Sequence, residues 1–569
     1  MQGEVALAGS RWTVGPTRFA DPIRIITATE PDQVRPALDA VETAARSGLW
    51  AVGFVSYEAA PGFDGNLETV AGSPVPLVWF GVYQDGDRSE YGPSGSSFVL
   101  GEWRAGMSAE AHSDRVAAIR QSIRAGDTYQ VNLTFPMSAS MDGDSLGLFD
   151  AMLDAQPASF GAHIDLGDVS VLSVAPELFL RVRGTDVVAE PMKGTAPRGR
   201  WAEEDLDQAT RLVASAKEQA GNVMIVDLIR NDLGRIAEIG SVEVPQLFSV
   251  ESHPTVWQLT STVTANLADD VGLADLFTAC FPSGSVTGAP KASTMGIIAT
   301  QEAVPRGVYC GAIGYLTPGG ESCEFSVAIR TGVVSDGKFN YHVGGGITYD
   351  SMAGTEYDEC LWKALVVTQP TRSPDLIETM RFEPDSGIPL LDRHIHRLMT
   401  SAAYWGIECD LEAVGDALSG VRSGEPAKVR LLLGHDGSVD VEVEPIPTEP
   451  EPVLLRLSGA RVDPASPLWY HKTRERSHYP APRNGGEEIL VNLDGDVTET
   501  NQSNLIVRLR GEWVTPPIES GCLPGVYRGL LIDQEKVRPE RLTVDDLAGA
   551  DELAVTNAVR GWRKATFIE

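Results

Sequence analysis

The sequence predicts an α+β protein, with sheets covered by helices over residues 1–367 and a second, two-lobed unit over residues 375–569. Three observations predict it. Apolar residues alternate in short runs such as Val169 to Val174 and Cys323 to Ile329, the two-residue period of a strand. Between such runs, apolar residues recur at helical spacing from Asp205 to Ile229 and from Glu356 to Val367. Prolines then cut the chain twice. Pro370 and Pro374 stop a helical pattern that ends near Leu365, and Pro445, Pro447, Pro450 and Pro452 form a semi-rigid bridge.

These breaks set the expected boundaries: a first domain over 1–367, a linker over 368–374 and a second domain over 375–569. The second domain divides into a small lobe (375–445), the bridge (446–452) and a large lobe (453–569). Within the large lobe, Glu488 to Asn492, the turn Asp494-Gly495 and the run from Val497 predict a hairpin. The 569 residues leave room for about four compact lobes. Hydrophobic residues at 43% and charged residues at 22% are the proportions of a folded chain rather than a disordered one.

With 46 basic and 79 acidic residues the net charge is −33, so the surface repels nucleic acid and anionic lipid. Neither is an expected partner. The six cysteines are scattered with no Cys-x-x-Cys pair, which predicts reduced thiols and no zinc site. The start, Met1 to Val5, lacks a basic-then-apolar signal, and no apolar run approaches the ~20 residues of a membrane span. A cytoplasmic protein is expected.

Lys193, in Pro191-Met192-Lys193-Gly194-Thr195, is the leading candidate for chemistry, because a lysine held in a dry site loses its proton and becomes a nucleophile. Alone, it reads more readily as a surface lysine before a turn. Glu356, Glu359 and Lys363 share one helix face, as either a solvated charge ladder or a binding cluster.

The company of Lys193 is more specific. Lys217 to Arg235, Phe281 to Lys291, Gly344 to Ile347 and Glu356 to Glu359 occur in order, together with Gly126 to Leu133 and Cys310 to Tyr315. From about Trp50 to Val367 the chain resembles the chorismate-utilising enzymes. Lys193 selects among them: the aminodeoxychorismate synthase component I enzymes carry lysine there, and anthranilate synthases a small residue. Gln130 stands where isochorismate and salicylate synthases carry a water-activating lysine, and an amide cannot be that base.

The resemblance implies two orthogonal sheets forming a sandwich with the site between them. It implies that Lys193 adds to chorismate, that Glu177 protonates the departing 4-hydroxyl, and that Thr287, Tyr315, Arg330, the backbone at Gly346 and Lys363 hold the two carboxylates. It also implies Mg²⁺ held by Glu218, Glu356 and Glu359, ligands of the type that ion takes. Here the chain departs from the pattern, since Gly221 occupies the place of a further acid and weakens that site. Ammonia is the expected co-substrate. No cysteine flanked by glycines precedes a His-x-Glu, so a separate glutamine amidotransferase is the implied source.

From Leu376 to the end, the chain resembles class IV pyridoxal-phosphate enzymes, especially the 4-amino-4-deoxychorismate lyases. Asp392 to Leu398, His471 to Arg474, Asp496 to Asn504, Gly521 to Arg528 and Thr556 to Ala558 carry the resemblance. It implies an α/β domain in which Lys472 binds the cofactor and moves protons, and Glu499 keeps the pyridine nitrogen protonated. Arg397 and the backbone around Gly525, Val526 and Thr556 hold the phosphate, and a homodimer forms through this domain.

The expected function is amination of chorismate at C4 through a Lys193 adduct, then elimination of pyruvate to give 4-aminobenzoate, a folate precursor. The alternatives are an anthranilate synthase component I fused to a class IV transaminase, and a first domain that binds chorismate without catalysis.

Overall fold

The computed structural model describes residues 3–369, 372–481 and 486–568. It divides into two compact units, Met1–Pro197 with Ala209–Arg372, and Arg198–Gln208 with Ser373–Glu569.

The first unit holds two ten-stranded sheets. The Val169–Ala175 strand shows why they stack. Val171 and Ala175 enter an apolar core shared with Val52, Phe54 and Trp79 of the other sheet, while Leu172 and Val174 enter a second core capped by Leu148, Met152, Cys360 and Ala364 of helices. A strand buried on both faces belongs to a sandwich with outer helices. Burial at about 25 cal/mol per Å² of apolar surface holds the layers together.

The helical pattern from Asp205 to Ile229 is two helices, Ala202–Ala214 and Ala216–Gly234, and not one. Ser215 breaks it: its hydroxyl accepts from the Glu218 amide at 3.4 Å, an N-cap that ends one helix and starts the next. The restarted helix lies against the strands Met192–Pro197 and Val256–Asn266. The helix Ala353–Thr368 runs to the edge of the expected linker, of which Pro370 and Thr371 lie outside the described residues.

In the second unit the strands Leu376–Phe382, Ala427–Leu433 and Val439–Pro445 form an antiparallel sheet. Alternate residues of Ala427–Leu433 point into a core with the helices Leu391–Trp405 and Leu411–Ser419. No regular element spans 446–452. From Val453 onward an eight-stranded mixed sheet encloses its own core. Its first strand, Val453–Val462, pairs in parallel with both Glu487–Asn492 and Gly561–Phe567. Glu487–Asn492 and Val497–Thr500 form the hairpin.

The segment Arg198–Gln208 clusters with this unit rather than with the residues on either side of it. Gly199 accepts from the Tyr404 hydroxyl at 2.9 Å. All six cysteines are free. Among the described residues no helix is long and apolar enough to cross a membrane.

Candidate active sites

The first cavity, of about 420 Å³, opens where strands of both sheets meet two helices. Lys193 reaches it from an irregularity in the Met192–Pro197 strand. The pairing register with Val256–Asn266 shifts between Met192 and Thr195, and Gly194 sits at φ +106°. An extra residue in one strand re-aims the side chain beside it, and only glycine adopts that φ without strain. Asn222 then clips the lysine in place, its amide donating to the Lys193 carbonyl at 3.0 Å and to Leu259 O at 3.3 Å.

The Lys193 amine lies against Gly346 of the Lys338–Ile347 strand, where an added Cβ would collide with Nζ. On the other side its stem passes Gly221, where an added Cβ would sit 3.7 Å from Cγ and Cε. Two glycines thus form the slot for the nucleophile. Burial lowers the pKa of Lys193, against the pull of Glu359.

Glu177 shares the cavity and is 2% exposed. Burial pushes its carboxyl up to about 7, although the Ser285 hydroxyl donates to it at 2.6 Å. A carboxylic acid that keeps its proton near neutral pH is a competent general acid. Arg330 lines the wall with φ +52°, held there by donating to the Lys363 carbonyl at 2.9 Å. The Lys363 amine bonds Glu359 at 2.7 Å and Gly344 O at 2.9 Å. Burial works against its charge, but Glu359 prevails and raises its pKa.

Lys193, Glu177, Arg330, Gly346, Lys363, Glu218, Glu356 and Glu359 therefore meet around one space. Thr287 and Tyr315 do not line it. Thr287 is fully buried, its hydroxyl donating to Ser283 O at 2.9 Å as a loop cap. Tyr315 points into the core between the sheets, 5.7 Å from Trp12 and 5.9 Å from Trp50, and donates to Glu324 at 2.8 Å. Tyr309, stacked on His342 at 5.3 Å, does reach the cavity, together with Tyr129, Tyr341 and Tyr349. Tyr309 immediately precedes the segment Cys310 to Tyr315, six positions before Tyr315, and lies ahead of the strand Ala312–Leu316 that carries Tyr315 into the core.

The carboxylates expected to hold Mg²⁺ do not fit that ion as arranged. Glu359 is spent on Lys363, Glu218 lies 3.8 Å from Lys217, and Gly221 supplies nothing. Among the described residues no group of three His, Cys, Asp or Glu is disposed to hold a metal.

The second cavity, of about 540 Å³, gathers Lys472, Arg397, Glu499, Gly525, Val526 and Thr556. The Lys472 carbonyl accepts from Ile377 N at 2.9 Å, which fixes the backbone from which the amine projects. Burial, then Arg397 and Arg476, lower this amine to about 7. Glu499 is raised to about 7 by burial, although the Tyr479 hydroxyl (2.7 Å) and the Asn504 amide (3.1 Å) both donate to it.

Arg397 is clamped by Glu378 at 2.8 and 2.7 Å, and His394 bonds the same carboxylate at 2.6 Å. Gly525 caps the helix Val526–Asp533, and an added Cβ would strike the Asn504 amide. This set fits pyridoxal phosphate: an amine near neutrality, a buried acid for the ring nitrogen, and an arginine and a helix start for the phosphate. Tyr479, Asn504 and Glu378 were not singled out in the sequence, where each stands as one polar residue among many.

A two-sheet sandwich with a lysine-bearing cavity, followed by a unit of class IV aminotransferase type, defines the class. The family described as chorismate binding enzyme matches residues 8–369, and amino-transferase class IV matches residues 375–568. The chain belongs to the chorismate-binding enzymes. Aminodeoxychorismate synthase component 1 of Klebsiella aerogenes is 43% identical over 273 residues, 48% of this chain and 60% of that protein. Anthranilate synthase component 1 3 of Haloarcula marismortui is 35% identical over 352 residues, covering 58% of this chain and 70% of that one. Anthranilate synthase component I from Streptococcus pneumoniae matches in structure with a TM-score of 0.55 at 26% identity, covering 62% of this chain and 92% of that one. The chain spans less than two thirds of the length of the first of these relatives.

Proposed function

We propose that the first unit aminates chorismate at C4 and the second removes pyruvate from the product to leave 4-aminobenzoate. The observation that carries this reading is the pairing in one cavity of an amine shifted towards neutrality, Lys193, with an acid that holds its proton, Glu177. Lys193 Nζ bonds to ring C2, the double bond shifts, and the C4 hydroxyl leaves as water with the proton of Glu177. Ammonia then bonds to C4, the double bond shifts back and the C2–Nζ bond breaks, so the lysine is regenerated. Arg330 and Lys363 are the cations that face the substrate carboxylates. Ammonia is supplied by a separate amidotransferase subunit.

In the second cavity, pyridoxal phosphate when bound supplies an electron sink to an amine condensed with it. Arg397 and the start of the helix Val526–Asp533 hold its phosphate, and Glu499 holds the proton of its ring nitrogen. Lys472 removes the ring proton whose loss makes the ring aromatic as pyruvate departs. The second unit pairs with its copy in a homodimer, and the enzyme works in the cytoplasm.

Mass spectrometry of the products from chorismate and ammonium, with and without pyridoxal phosphate, tests the whole reading. Without cofactor, 4-amino-4-deoxychorismate accumulates; with it, 4-aminobenzoate and pyruvate appear in equal amounts. Formation of the ortho isomer instead assigns the first unit to anthranilate synthesis and refutes the proposal.

A further inference from the structure

In a chain of net charge −33, the second cavity is lined by six arginine or lysine side chains besides Lys472, against two acids, Glu442 and Glu499. Most of these cations are already neutralised. Glu378 holds Arg397 at 2.7 Å, Glu444 pairs with Lys428 and with Arg430 (3.2 Å), Asp375 lies 3.8 Å from Arg474, and Glu449 lies 2.8 Å from Arg560.

Arg476 differs. Among the described residues it alone of the six has no carboxylate within ion-pair distance. Its guanidinium lies over the Tyr479 ring at 4.0 Å and donates from Nη2 to Asn501 O at 2.7 Å. That leaves further N–H groups of a planar five-donor fork at the rim of the cavity. The same Tyr479 bonds Glu499, and Arg476 is close enough to bear on the charge of both Glu499 and Lys472. An exposed cation with no counter-ion among the described residues, stacked on Tyr479 at the edge of a reaction space whose other cations are paired, is built for an anion that arrives with the substrate.

We propose that Arg476 is a substrate-binding residue of the second site, taking a carboxylate of the incoming amine and so restricting the site to amines that are themselves carboxylic acids. The inference rests on the lyase reading of the second unit and deepens it. The phosphate of the cofactor is already provided for by Arg397 and the helix start, so Arg476 is left for the substrate.

The test uses the full chain loaded with pyridoxal phosphate. 4-Aminobenzoate and aniline, which differ only in the carboxylate, are titrated by calorimetry. A charge-assisted pair makes the wild type bind 4-aminobenzoate at least about tenfold more tightly than aniline. Arg476→Gln brings that ratio below about threefold, Arg476→Lys retains part of it, and the Kd of pyridoxal phosphate stays within about twofold. In steady state, Arg476→Gln raises KM for 4-amino-4-deoxychorismate about tenfold and changes kcat by less than about threefold.

An unchanged ratio in Arg476→Gln overturns the proposal. So does a loss of cofactor affinity as large as the loss for 4-aminobenzoate, which reassigns the residue to the phosphate or to the loop at Asn501. Should the wild type release no pyruvate, the lyase reading fails by itself, and the two titrations still decide the role of Arg476.

Discussion

At the scale of single residues, the proposed amination depends on two protonation states that burial makes available together. Glu177, raised to about 7, must carry its proton, and Lys193, lowered by burial, must lack one. The rate of amination therefore falls as pH rises past about 7 and Glu177 ionises, and falls on the acid side as Lys193 gains its proton. Glu177→Gln removes the alkaline limb of the pH profile and lowers kcat by about 10² to 10⁴. Lys193→Ala stops amination while 4-aminobenzoate still forms from supplied 4-amino-4-deoxychorismate. Gly346→Ala pushes the amine out of its slot and costs about 10²-fold in amination, the usual penalty for a misplacement near 1 Å. These residues were legible through the ordered motifs around Lys193 and the resemblance they carry, since a lysine, a glutamate or a glycine taken singly reads as well as a surface or turn residue. Thr287 and Tyr315 were not, since a hydroxyl in a segment gives no direction, and both turn to internal partners, Ser283 and Glu324.

At the scale of elements, what positions these residues is local. Ser215 restarts the helix that carries Glu218, Gly221 and Asn222 along the Met192–Pro197 strand. Ser215→Ala costs about 1 kcal/mol of stability, measured by denaturant unfolding, because one helix start loses its cap. Apolar period alone runs through this break, since both helices bury the same kind of stripe; a serine ten residues into the pattern that starts at Asp205 reads as an ordinary exposed position. The strands were easier, because Val169–Ala175 and Ala427–Leu433 alternate plainly, and the prolines after Thr368 and Pro445 admit no helix or inner strand. In the second unit, the Leu376–Phe382 strand and the Leu391–Trp405 helix are joined by Glu378, His394 and Arg397. Burial alone would raise the Glu378 pKa, but Arg397 and His394 hold it down to about 2 from 4.5. A carboxyl depressed on folding stabilises the fold above its unfolded value, and that stability is lost as pH falls from about 4.5 towards 2. Glu378→Gln flattens this acid limb in a pH series of denaturant midpoints; an unchanged slope shows that the clamp contributes nothing to folding.

At the scale of the whole molecule, the chain carries two lysine sites in separate units, each with its own lining and each with its amine brought towards neutrality by burial. In the proposed function their chemistries are sequential: the amine installed by one is the group the other needs. A chain that holds both sites raises the local concentration of the intermediate without any requirement that it stay bound. The consequence is measurable with two variants that each retain one site. Lys193→Ala and Lys472→Ala, assayed separately with chorismate, ammonium and pyridoxal phosphate, each yield no 4-aminobenzoate. Mixed in equal amounts, they yield it after a lag during which free 4-amino-4-deoxychorismate builds up, and the lag shortens as protein concentration rises. The wild type at the same concentration shows a shorter lag if the intermediate passes efficiently within one molecule, and an equal lag if it simply diffuses. Failure of the mixture to form product at any concentration, with each variant folded and Lys472→Ala still aminating chorismate, excludes a freely released intermediate.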